Sequence, residues 1–250
     1  MSNPILTNKN IQKYITEEQS FETMSVSGVA LKSVFMLSVL ALFACFTYSL
    51  VFKGFIDKAN MLGTVGLFGG LITAFIIIFS RNFKIMAPLT IVYSAFEGLA
   101  IGGLSAFVAL QVNSLLVFNA VFATFGTLFA MLFLYSAKII KCTEKFKGTV
   151  IAATFGVLVI YLVSMVMSFF NPQASSMLMG NGAVGIGFSI VVCLIAAFNF
   201  IVDFDIIENA KNAGVNKDFE WYGAFSIMVT LIWLYVEIIN LLLKLNSRNN

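Results

Sequence analysis

The chain has 250 residues, of which 60% are hydrophobic and only 11% charged, with a mean hydropathy of +0.95. A soluble domain carries roughly 25% charged residues, so this is not a single soluble domain, and 27 phenylalanines exclude a solvated disordered chain. Histidine is absent and the net charge is only +3, which removes Ser-His-Asp and Cys-His catalysis and every His-ligated metal site, and gives no case for nucleic acid.

Residues 1–27 are polar, carry Lys9, Lys13, Glu17, Glu18 and Glu22, and lack the apolar core and cleavage site of a signal peptide. They are expected to form a cytoplasmic tail. Seven apolar stretches follow, each near the roughly 20 residues that a helix needs to cross a bilayer. They cover 28–52, 61–80, 85–110, 114–137, 148–170, 182–204 and 221–245. Continuous apolar runs rule out the alternating pattern of a barrel, so the spans are helices. Connections are short except for the polar segment 205–220, and nothing divides the chain. The expectation is one all-α membrane domain, 28–245, with a short C-terminal tail, 246–250.

Lys and Arg are counted in the loops to set orientation. With the N-terminus inside, eleven fall on the cytoplasmic side, from Lys9 to Lys217, and four outside, Lys53, Lys58, Lys244 and Arg248. Seven spans are then expected to leave the C-terminus outside. Lys32 is read as snorkelling to the headgroups. Cys45, Cys142 and Cys193 form no CxxC pair, and are read as two span residues and one loop thiol. Gly66 with Gly70, and Gly98 with Gly102, have the spacing that brings helices into close contact. The literal GxGxxG at Gly180, Gly182 and Gly185 lacks the flanking strand of a nucleotide site and is read as the start of the sixth span.

The informative residues are the ionisable groups inside apolar helices, where an acid costs about 2.5–3.5 kcal/mol on insertion scales. Glu97 lies midway along the third span with Tyr93 and Ser94 one turn earlier. It is either hydrogen-bonded between helices or lines a hydrated cavity. Asp203 closes the sixth span, with Asn199 one turn before it, while Asp205 and Glu208 are read as solvated. Glu237 lies deep in the seventh, in a stripe of Thr230, Trp233, Glu237, Asn240 and Lys244 at helical spacing. It either pairs internally with Asn240 or Lys244, or serves a function. Arg81 falls on the same side as Asp203, which allows a pair. Carboxylates held close together in a poorly hydrated bundle share a proton, and opening them would attract a hard cation such as calcium.

The run Tyr93-Ser94-Ala95-Phe96-Glu97-Gly98-Leu99, the run Asp203-Phe204-Asp205-Ile206-Ile207-Glu208, and Trp233-Leu234-Tyr235-Val236-Glu237 resemble the Bax inhibitor family of transmembrane proteins, in a bacterial branch. The resemblance implies a central seventh helix surrounded by six. It also implies a pH-sensitive calcium leak in which Asp203 pairs with Glu237 and Arg81, calcium passing as the permeant ion in transient contact with the two acids and no cofactor being held. Glu97, Asn199 and Asn240 are candidate lining residues. Glu237 stands where the family has Asp, and the polar stretch before the seventh span is longer. The alternative is a regulator of an FtsH-type membrane protease acting by contact through the N-terminal tail. An intramembrane aspartyl protease is set aside, because Gly185-Ile186-Gly187 is followed by Phe188 and the GxGD motif is missing. No enzymatic activity is expected.

Overall fold

The computed structural model describes residues 22–80, 85–170 and 180–249. Among the described residues the chain forms seven long helices: α1 Val26–Phe52, α2 Ile56–Phe79, α3 Met86–Gln111, α4 Ser114–Ser136, α5 Glu144–Phe170, α6 Ala183–Asn212 and α7 Phe219–Asn249. All seven are long and apolar enough to cross a bilayer. Phe79, Phe122 and Phe169 are each at least 74% exposed, and many more large apolar side chains on α1 to α6 face outward. Surface of this kind is stable against lipid tails and not against water. The chain is therefore an all-α, seven-helix, multi-pass membrane protein.

Local chemistry explains where the helices start and stop. Ser25 caps α1, its hydroxyl accepting from the Gly28 amide at 2.9 Å. Gly54 ends α1 at φ +83°, with the Gly54 amide on the Val51 carbonyl and the Phe55 amide on Leu50. Gly214 ends α6 in the same way at φ +68°, with Val215 bonded back to Ala210. Both are left-handed glycine caps that satisfy the last carbonyls of the helix. Pro88 lies in the first turn of α3, where its missing amide hydrogen breaks no bond.

Two helices run further than hydropathy indicates. α6 continues nine residues beyond Asp203, to Asn212, so Asp203 is inside the helix rather than at its end. Residues 205–212, expected as connection, are its last turns. α7 extends to Asn249, so residues 246–249 of the expected C-terminal tail are helical.

Packing falls into two compact units. One contains Asp205–Ile232 and the described residues up to Ser114; the other contains Leu115–Phe204 and the described residues from Trp233 onward. In the first, α1, α2 and α3 pack on one another through glycines. A methyl group on Gly98 would overlap the Leu40 carbonyl of α1, and one on Gly102 would overlap that of Ala44. One on Gly66 would lie 2.6 Å from the Ala100 amide of α3. Gly66, Gly98 and Gly102 thus make backbone-to-backbone contacts, whereas Gly70 makes room for the Glu97 side chain. In the second unit, Gly126, Gly156 and Gly187 have open space where a side chain would be. Its helices are joined by rings and by polar side chains, including Phe146 against Phe198 and Tyr161 against Phe188.

α6 and α7 are the most enclosed helices, with 50% of the apolar window buried in each, against 17% in α4 and α5. A buried helix leaves its polar residues no access to water, so each must find a partner in the protein.

Candidate functional site

In the second unit, the polar side chains of α5, α6 and α7 form a track of cross-helix hydrogen bonds. At one level the Asn199 amide donates to the Thr154 hydroxyl at 2.9 Å and to its own helix at Ile195. At the next, Glu237 on α7 is 97% buried, and its Oε1 accepts from the Tyr161 hydroxyl at 2.7 Å and from the Trp233 indole at 3.1 Å. Beyond it Lys244, 9% exposed, donates to the Ser189 hydroxyl at 2.8 Å and the Gly185 carbonyl at 3.1 Å. Asn181 donates to Ser247 at 2.7 Å and ends the track.

These contacts also fix the register. The Asn181–Ser247 and Lys244–Gly185 bonds make α6 and α7 antiparallel and put Glu237 level with about Cys193. Asp203 is ten residues further along α6, a rise of about 15 Å at 1.5 Å per residue. This register offsets the backbones of the two acids of the expected Asp203–Glu237 pair along the helix axes. Asp203 is fully buried, and Asn199 one turn away is nearly so. Asn240, expected beside Glu237, is exposed, which interrupts the stripe read along α7. Lys244 reaches across to α6, and Glu237 accepts from Tyr161 and Trp233.

Tyr161 was not singled out by sequence reasoning, although a signal existed. It lies two turns after Thr154 on α5, so the two polar side chains share a face of an otherwise apolar helix. Arg81, expected as the third member of the cluster, lies outside the described residues.

The first unit holds a different set of charges. Glu97 is half-buried, interacts with the Tyr93 phenol one turn earlier, and packs into the notch left by Gly70 on α2. A methyl on Gly70 would lie 2.7 Å from Glu97 Oε1. Ser94 turns its hydroxyl back to the Thr90 carbonyl instead of adding to that patch. Lys32 does not snorkel: its ammonium is 2.8 Å from Glu220 Oε2 at the start of α7, and 5.0 Å from the Trp221 ring centroid. Glu220 Oε1 accepts from the Ser25 amide at 2.8 Å and the Ser25 hydroxyl at 3.1 Å. Its carboxylate rests on Gly28, where any side chain would collide with it.

Residues 22–25 add backbone pairing to this clasp. Thr23 bridges Asn216, the Met24 amide donates to Val215 at 2.8 Å, and the Lys217 amide donates to Glu22 at 3.0 Å. The Glu22 carboxylate also binds the Lys217 ammonium and holds it above its ordinary pKa. Among the described residues, no group of three or more acids or cysteines is arranged to hold a metal ion.

The fold and these buried charges define a polytopic helical membrane protein with ionisable groups enclosed in its bundle. Its sequence matches the family model described as Bax inhibitor 1 like over residues 3–247, so the chain belongs to that family. No curated protein and no solved structure matches it.

Proposed function

We propose that the protein is a proton-sensitive calcium leak of a bacterial cytoplasmic membrane, and that ions follow the polar track along α5, α6 and α7. The observation that carries this is Glu237. It is a carboxyl group 97% buried in one of the two most enclosed helices, held by donors from both α5 and α7. Intramembrane acids of this kind mark ion paths and proton relays. The motifs of the third, sixth and seventh spans that resemble the family imply the same activity. In this proposal Glu237 and Asp203 act as two stations at different depths, each taking a proton and passing a cation. The eleven-to-four bias of Lys and Arg supports a cytoplasmic N-terminus.

The test is calcium flux through purified protein in liposomes across the neutral pH range. Wild type is expected to conduct with a clear pH dependence, and Glu237→Gln to lose that dependence. Unaltered flux and pH profile in both Glu237→Gln and Asp203→Asn would overturn the proposal. Absence of flux at every pH would favour regulation of an FtsH-type protease by contact. The truncation that separates the two readings removes residues 1–21 and spares 22–25, because the latter hold α1 to the start of α7.

A further inference from the structure

Lys244 is a cation enclosed at the end of the same track, and its surroundings have the chemistry of a cation site. Its ammonium is bonded to a backbone carbonyl, that of Gly185, and to a hydroxyl, that of Ser189. Both are neutral oxygen donors of the type that hard cations take. It lies seven residues from Glu237 on α7, two turns along one face, or about 10.5 Å of rise. Packing does not require a charge here. An unbranched apolar side chain of similar length would fill the space, whereas an ammonium pays desolvation. What the ammonium adds is a positive charge that balances Glu237 within the track.

We propose that Lys244 is a tethered cation occupying a subsite for a free divalent cation, formed by the Gly185 carbonyl and Ser189 hydroxyl and drawn on by Glu237. The wild-type protein fills this subsite with its own side chain and so limits entry of cations to the track at that end. The inference rests on the proposed leak only for its consequence on flux; the subsite itself is a matter of binding. Removing the ammonium releases the Ser189 hydroxyl and the second lone pair of the helical Gly185 carbonyl and leaves Glu237 unbalanced, and both changes favour a divalent ion.

The test uses Lys244→Met and Lys244→Gln, alone and combined with Glu237→Gln, and has two readouts. The first is terbium binding to the full-length protein in detergent, followed by isothermal titration calorimetry. Both single variants are expected to bind terbium at least tenfold more tightly than wild type, because attraction to a carboxylate some ten ångström away at an effective dielectric near 20 is worth about that factor for each unit of the ion's charge. Calcium should compete the terbium away, and the double variants should lose the gain. The second readout is calcium flux in liposomes, expected to rise in the single variants while a trapped fluorescent dye is retained.

Binding unchanged from wild type in both single variants, with thermal melting that shows them folded, overturns the subsite. Stronger binding that survives Glu237→Gln overturns the part given to Glu237. Stronger binding without calcium flux in any variant upholds the subsite and counts against the leak, so the two failures are distinguishable.

Discussion

The two packing units hold their helices together by different means. In the unit built on α1, α2 and α3, glycines let backbones touch: Gly98 and Gly102 admit the carbonyls of Leu40 and Ala44, and Gly66 fits against Ala100. In the unit built on α4, α5 and parts of α6 and α7, Gly126 and Gly156 face open space, and side-chain hydrogen bonds such as Tyr161–Glu237 and Lys244–Ser189 connect the helices. Without a hydrophobic drive between helices in lipid, close van der Waals packing and interhelical hydrogen bonds are the two available sources of association. Glycine contacts leave no room for water or ions. A row of polar side chains leaves groups that can exchange protons or accept cations, so the proposed route runs through the unit that contains it.

The largest expected effect is at Gly98. Gly98→Val places atoms on the Leu40 carbonyl, and backbone in a tightly packed pair yields little, so folding should weaken by about 3 kcal/mol or folded protein be lost. Gly156→Ala on α5 meets nothing within 4 Å and should melt within about 0.5 kcal/mol of wild type. Equal losses in the two variants, measured by thermal melting in detergent, would remove the contrast between the units.

Glu220→Ala comes next. It leaves Lys32 without its carboxylate and two Ser25 donors without their acceptor, a loss of about 3 kcal/mol for breaking a buried pair. Lys32→Met combined with Glu220→Ala should recover part of it, because the uncompensated ammonium is then gone. A double variant no better than Glu220→Ala alone would show that the Ser25 bonds, not the ion pair, hold the clasp.

Tyr161→Phe should have the smallest effect on stability, about 1 kcal/mol for one hydrogen bond between helices. Its signature is functional. Glu237 keeps the Trp233 donor but loses the one from α5, so calcium flux should persist with a shifted pH midpoint. A melting change with no shift in the pH profile would make Tyr161 a packing residue only.

Hydropathy made the seven spans legible, and small-residue spacing made the glycine contacts legible, because both depend on composition along one helix. Helix ends were less so. The polar run after Asp203 continues as helix to Asn212, since a helix leaving the membrane does not have to stop where its apolar residues do. The least legible feature was partnership. Spacing along α7 put Glu237 and Asn240 in one stripe, yet Glu237 is buried and Asn240 exposed. Register between α6 and α7, which offsets the backbones of Asp203 and Glu237, is set by contacts such as Asn181–Ser247 that no single-helix pattern encodes. Lys32 looked like an interfacial lysine because its partner, Glu220, is 188 residues away.

Two independent stations, rather than one shared-proton pair, is the central claim, and a double-mutant cycle tests it most directly. Calcium flux and its pH profile would be measured in liposomes for wild type, Asp203→Asn, Glu237→Gln and the double variant. Sites whose backbones are offset by about 15 Å should combine additively, with a coupling no larger than about 0.5 kcal/mol in the logarithm of flux. A coupling well above about 1 kcal/mol, with either single variant as severe as the double, would mean that the two acids act as one pair and would contradict the account.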